Sequence, residues 1–288
     1  MYSSPFEYHS PSSLAEALQL IGKHGDEAKV VSGGQSLVPL MRLRLASPAH
    51  LVDLRKVPGL TGAREEGGAL RIGAFTTHAQ VGADATVKAK LPMVAEAALL
   101  IGDAQVRNLG TIGGSLAHAD PSADWPAVML ALDASVVLSG PKGERTVKVS
   151  DFITGPLTTS LGAGEILTAV IAPLPPAKTA GAYEKVPHPA SRFAVVGVAA
   201  EVSVDGGKVA WSRIAITGLG PKAYRATGVE QALQGKAAKD AAKAAAAHAA
   251  DGVDLREDPM GSPAYRAHLA AVHCEKAIQR AAERAAKR

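Results

Sequence analysis

Val30-Val31-Ser32-Gly33-Gly34-Gln35-Ser36-Leu37-Val38-Pro39-Leu40-Met41 decides the reading of the fold. A short β-branched run, read as a strand over 29–32, breaks at a glycine pair. It resumes as an apolar helical segment over 36–45 with Pro39 near its start. Eighty residues on from Gly33 stands Gly113, within Gly110-Thr111-Ile112-Gly113-Gly114-Ser115-Leu116-Ala117-His118-Ala119-Asp120-Pro121. This second glycine pair is also expected between a strand and a helix, the helix running over about 123–132.

Backbone N–H groups in such loops cradle phosphate oxygens, and two loops imply one pyrophosphate held from two sides. Gly33, Gly34, Gly113 and Gly114 are expected to allow close backbone approach and positive φ. Ser36, Thr111 and Ser115 offer hydroxyls, and Gln35 an amide. The plainer alternative is that each pair merely makes a turn. Two familiar phosphate motifs, G-x-x-x-x-G-K-[ST] and G-x-G-x-x-G after a strand, are absent, which argues against a P-loop kinase or a Rossmann NAD enzyme.

Outward from these loops the pattern alternates. Leu14, Ala17, Leu18 and Ile21 give one apolar helical face over 13–24, capped by Ser12 or Ser13. Short strands are read at 50–54, 69–73, 135–138, 147–149 and 166–171, and an Ala/Leu-rich helix at 91–101. Pro173-Leu174-Pro175-Pro176 cannot extend a strand or helix, so a domain boundary is placed near residue 176. Beyond it, 195–204 and 208–217 flank Asp205-Gly206-Gly207, a hairpin signal. Residues 227–288 are alanine-rich helices over the resulting small sheet, and His268, Leu269, Val272, Ala277 and Ile278 are read as the buried stripe of the last one.

The chain has 288 residues, 47% of them hydrophobic, enough for two domains. A single cysteine, Cys274, excludes an internal disulfide and points to a reducing compartment. No signal peptide and no apolar run long enough for a membrane span is read, so a cytoplasmic location is expected. Net charge is +4, and aromatic residues make up 4%. The basic positions Arg280, Arg284, Lys287 and Arg288 are read as a solvated helix face, because nucleic-acid binding needs interleaved aromatics that are missing here.

The two glycine segments, in this order, resemble the FAD loops of the medium subunits of the xanthine dehydrogenase and carbon monoxide dehydrogenase family, and the resemblance runs through the whole chain. It implies an α+β fold: a vanillyl-alcohol-oxidase/PCMH-type FAD-binding domain over 1–176, in two parts of roughly 1–56 and 57–176. A smaller α/β C-terminal domain follows over 177–288. The pyrophosphate is implied on 32–36 and 111–115, with the flavin facing the domain interface. Implied cofactor-binding residues on the first segment are Val30, Val31, Ser32, Gly33, Gly34, Gln35, Ser36 and Leu37. On the second they are Thr111, Ile112, Gly113, Gly114, Ser115, Ala117 and His118. Ile101, Asp124, Leu167 and Lys185 match further FAD contacts, and Phe193 a side chain over the flavin ring. Gln35 and Ser115 depart from the His and Asp that the resemblance associates with the carbon monoxide members, which weakens that substrate assignment.

Read without the resemblance, Asp124 is a helix start, Leu167 strand core and Lys185 a surface charge, while Arg107 and Asn108, just before the second loop, either position it or approach phosphate, or else form a solvated turn. His118, Asp120 and Asp124 are not read as a metal site, since Asp120-Pro121 has the character of a turn. Cys274 is read as a small buried hydrophobe. A lone cysteine cannot hold an iron–sulfur cluster, and the resemblance implies that [2Fe–2S] centres and a molybdopterin cofactor lie on a small iron–sulfur subunit and a large molybdopterin subunit, in an (αβγ)2 complex. In this reading no side chain is a catalytic acid or base; the flavin carries electrons to an external acceptor. Two rivals are a self-sufficient FAD-dependent oxidase and a non-catalytic assembly subunit.

Overall fold

The computed structural model describes residues 2–288. The first glycine segment follows the carboxyl end of a strand in a three-stranded parallel sheet. This sheet is built from β1 (Glu7–His9), β2 (Ala28–Val31) and β3 (His50–Asp53) in the order β1-β3-β2. Parallel strands need a crossover, and α1 (Leu14–His24) supplies the one between β1 and β2. Ser13 caps that helix by accepting from the Glu16 N–H, and Ala17 and Ile21 bury its apolar face. The crossover from β2 to β3 carries α2 (Leu37–Arg42), shorter than the segment expected over 36–45, with Pro39 at its third position.

A five-stranded sheet follows, in the order β4-β5-β10-β6-β7: β4 (Ala63–Glu66), β5 (Ala69–Gly73), β6 (Ser135–Gly140), β7 (Gly143–Lys148) and β10 (Ile166–Pro173). Pro173 closes its strand opposite Ala69, so the proline-rich connection begins one residue later than its sequence suggests. Between β5 and β6 run α3 (His78–Ala83), α4 (Ala85–Lys90), α5 (Pro92–Leu100), α6 (Ala104–Leu109), α7 (Ile112–His118) and α8 (Asp124–Ala131). The short α9 (Val149–Phe152) and the hairpin β8 (Ile153–Gly155) and β9 (Thr158–Thr159) complete this part. Val149, expected to end a strand, instead opens α9.

The second glycine segment differs from its sequence reading. No strand precedes it: α6 does, and the glycine pair lies inside the first turn of α7. Thr111 caps that turn, its hydroxyl accepting from the Gly114 N–H. The strand-like pattern is absent because the segment joins two helices, and only an isolated bridge between Thr77 and Thr111 remains of extended pairing.

The third sheet is antiparallel, in the order β11-β12-β13-β14: β11 (Thr179–Pro187), β12 (Ala194–Asp205), β13 (Lys208–Thr217) and β14 (Tyr224–Arg225). Its central hairpin turns at Gly206-Gly207, with Asp205 paired to Lys208. α10 (Thr227–Leu233), α11 (Ala238–Ala246) and α12 (Pro263–Ala285) cover one face. The buried stripe of α12 is rotated from the one its sequence suggests. Arg266, Ala270, Cys274, Ala277, Ile278 and Ala281 face inward, while His268 is exposed. Small residues let α12 lie close on the sheet, and burial pushes the Cys274 thiol up to about 12.

Of the basic tail, Lys287 is solvated but the three arginines are not free. Arg280 and Arg284 both donate to the Glu96 carboxylate on α5, Arg280 also bonds Glu184 on β11, and Arg284 donates to the Gly181 carbonyl at 2.9 Å. Arg288 reaches the Thr179 carbonyl at 3.1 Å. The last helix thus clasps the third sheet to α5 through charge-assisted hydrogen bonds.

Candidate flavin-binding site

The two glycine segments meet. The Ser32 and Thr111 hydroxyl oxygens are 2.7 Å apart, and a Cβ placed on Gly33 would stand 2.2 Å from the Leu109 carbonyl oxygen. No side chain fits there, so glycine is required by the approach of α6 rather than by φ. Gly34 is the one residue of the four whose φ is positive, at 70°. The expectation of positive φ at Gly33, Gly113 and Gly114 is therefore corrected. At Gly113 the reason for glycine is again space, since a Cβ would meet Ala74 at 2.5 Å.

The segments also differ in the donors they present. Among the described residues, the backbone N–H groups of Gly33, Gly34, Gln35, Ser36 and Leu37 find no acceptor; the first bonded one is Val38, to the Gly34 carbonyl at 3.0 Å. Five consecutive donors on partly or fully exposed residues suit an anion. In the second segment the N–H groups from 112 to 115 are bonded within the chain, Ile112 to Thr76, Gly113 to Ala74, and Gly114 and Ser115 to Thr111, while that of Thr111 finds no acceptor. The expected cradle of two backbone loops becomes one backbone loop braced by a helix that adds hydroxyls. This donor set and thin surface fit a pyrophosphate, so the residues present suit FAD.

Lys185 and Asp124 come together although 61 positions separate them, with Nζ 2.9 Å from the carboxylate. Their side chains are 1% and 4% exposed, so Lys185 is not a surface charge. Burial pushes the Asp124 carboxyl up and the Lys185 ammonium down, each opposed by the attraction of its partner. Tyr183 donates to Asp124 at 2.6 Å, and Lys185 also reaches the Leu100 carbonyl at 3.0 Å. That carbonyl ends α5 beside Ile101, whose own carbonyl accepts from Arg107 at 3.0 Å. Arg107 therefore anchors the turn 101–102 instead of lying in a solvated turn. Ile101, Asp124 and Lys185 form one group.

Ala117 and His118 lie in the last turn of α7. Leu167 is buried in β10, opposite Leu138, as strand core. Val30 and Val31 are the half-buried end of β2. Phe193 is 41% exposed at the turn before β12 and flanks a cavity of about 220 Å³ together with Asp120, Ser122, His188, Arg256 and Asp258. His118, Asp120 and Asp124 do not converge on a common point: the one group of three potential metal ligands among the described residues is His9, His24 and His50.

Sequence reasoning missed His78. It is buried, its Nδ1 accepts from the Trp125 indole at 3.0 Å, and its backbone N–H bonds the Gly110 carbonyl at 2.9 Å. Its ring fills the space beside Gly110, where a Cβ would meet Nε2 at 2.8 Å. Burial holds its pKa down at about 4, so the ring is neutral. A local signal existed in Thr77-His78-Ala79-Gln80, a capping box that starts α3.

A parallel β-α sheet feeding an anion receptor, a braced second segment and an α/β domain over its flank define a flavin-binding class. Residues 4–175 match the family model of the FAD binding domain in molybdopterin dehydrogenase, and 181–281 that of the CO dehydrogenase flavoprotein C-terminal domain. The chain belongs to this family of FAD-binding medium chains of molybdenum hydroxylases, an oxidoreductase family. It is 41% identical to a carbon monoxide dehydrogenase medium chain from Hydrogenophaga pseudoflava, over 98% of both chains. It is 38% identical to the alpha subunit of a 6-hydroxypseudooxynicotine dehydrogenase complex from Paenarthrobacter nicotinovorans, over 97% of this chain and 95% of that one. In three dimensions it is similar to quinoline 2-oxidoreductase from Pseudomonas putida 86, with a TM-score of 0.93 and 35% identity, covering 99% of each chain. No described helix is long and apolar enough to cross a membrane.

Proposed function

We propose that this chain is the electron-transfer subunit of a cytoplasmic molybdenum hydroxylase complex, taking electrons from a [2Fe–2S] subunit and passing them to an external acceptor. The partners are a small iron–sulfur subunit and a large molybdopterin subunit, assembled as (αβγ)2. The observation that carries the reading is the run of five unbonded N–H donors at 33–37, braced by the 111–115 segment. Residues 1–176, in parts 1–56 and 57–176, form the FAD domain, and 177–288 cover its flank.

Bound FAD supplies reversible one- and two-electron chemistry. The chain's part is to bind and orient. The 33–37 donors would hold the pyrophosphate, Thr111 and Ser115 would add hydroxyls, and the Lys185–Asp124 pair fixes the turn at Ile101. Phe193 would stand over the ring, as the resemblance implies. Relatives of 35–41% identity carry names with unlike substrates, carbon monoxide, 6-hydroxypseudooxynicotine and quinoline, which supports placing substrate choice on another subunit.

The test is the absorption spectrum of the purified chain with acid release of its cofactor. One FAD per chain, reduced by the reduced iron–sulfur subunit without added substrate and reoxidised on addition of an external electron acceptor, is expected. A chain that takes up no flavin on reconstitution sinks the reading and favours an assembly subunit. A chain whose flavin is reduced by a small substrate directly favours a self-sufficient oxidase.

A further inference from the structure

Beside the first sheet, three imidazoles converge from three elements. His9 ends β1, His24 ends α1 and His50 opens β3. One ring nitrogen from each lies within 4.8 Å of the others, and all three residues are half-buried. His9 Nε2 and His50 Nδ1 are 3.1 Å apart, and the His24 and His50 rings are 3.6 Å apart between centroids. Glu7, the register partner of His50 across the parallel pair, places a carboxylate oxygen 3.3 Å from His50 Nδ1 and 3.9 Å from His9 Nε2.

We infer that His9, His24 and His50, with Glu7 as fourth ligand, form a binding site for a divalent first-row transition ion such as Zn2+. Metal–nitrogen bonds of about 2.0–2.1 Å in a tetrahedron put ligand atoms roughly 3.3 Å apart. The His9–His50 and His50–Glu7 spacings already lie close to that value, and His24 closes the shell by a small ring movement. Three neutral imidazoles and one carboxylate suit Zn2+, Ni2+ or Cu2+ rather than Ca2+ or Mg2+, which take oxygen ligands.

The alternative is a set of stacked neutral rings sharing one N–H···N bond. Stacking explains two of the rings, but it does not require a carboxylate beside both ring nitrogens. The site's role is structural. It ties the short edge strand β1 and the carboxyl end of α1 to the central strand β3. It shares no residue with the 33–37 donors.

The experiment uses the untagged, flavin-loaded full chain, stripped of metal and titrated with Zn2+ by calorimetry, with Co2+ absorption as a second reading of geometry. One equivalent of Zn2+ bound, a raised melting temperature and tetrahedral Co2+ bands are expected. Loss of an outer-shell partner alone costs about 10–100-fold in metal affinity. His24→Ala and, as a milder second variant, His9→Gln should each therefore weaken binding by about 100-fold or more with flavin content unchanged. His248→Ala, in the C-terminal domain, should bind as the parent does. Absence of stoichiometric binding, or binding that survives both His24→Ala and His9→Gln, overturns the site.

Discussion

The Lys185 ammonium on β11 lies 2.9 Å from the Asp124 carboxylate at the start of α8, with almost no solvent at either. One partner comes from the third sheet and one from the helix layer of the second, so the pair joins the two parts of the molecule.

Breaking such a pair on one side leaves a buried charge without compensation, at about 3–5 kcal/mol. Lys185→Met is expected to lose that much stability in urea unfolding of the flavin-free chain. Lys185→Met with Asp124→Asn should recover part of the loss, because the remaining amide carries no charge. A double variant as unstable as the single one contradicts this account.

Gly33→Ala places a methyl group 2.2 Å from the Leu109 carbonyl oxygen, so α6 and the first glycine segment must separate. Flavin occupancy, read from the ratio of visible to protein absorbance, should fall by more than half in purified Gly33→Ala. Gly34→Ala meets only the Val38 side chain, at 3.1 Å, but forces a left-handed backbone, at about 1–2 kcal/mol, and should retain more flavin.

His78 has its folded pKa held down at about 4 against 6.5 for a free imidazole. Between those values the unfolded chain binds the extra proton and the folded one does not. Stability is therefore full above pH 6.5 and lost as pH falls toward 4, by up to about 1.4 kcal/mol per pH unit. Chemical denaturation across that range should show the slope, and His78→Gln should flatten it.

Glu201 on β12 behaves in the opposite sense. Burial pushes its carboxyl up to about 7, against the pull of Arg213. The folded state then holds the proton that the unfolded state releases from about pH 4.5 upward, so this group costs stability as pH rises from there to 7. Glu201→Gln should remove that decline in melting temperature without changing flavin content.

Several elements were legible in the sequence because their causes are local. The β2 to α2 passage, the Gly206-Gly207 hairpin and the Ser13 cap of α1 each depend on residues within a few positions. The second glycine segment misled because a glycine pair signals a turn or a close approach equally well. Only the proximity of Ala74 and Thr76 shows that it heads a helix.

Two spaced glycine segments, an α+β body and a hairpin-based final part are all readable along the chain, and with them the flavoprotein family. Periodicity, caps and turns act over one or two turns of chain, so they can be read in order. Only the tertiary structure decided which segment presents free donors, that Lys185 is buried on Asp124, and that Arg284 clasps Glu96 across 188 positions. It alone brought His9, His24 and His50 together. Those relationships are set by packing between distant elements, where desolvation fixes a charge's partner and steric contact fixes a glycine, and no local pattern encodes either.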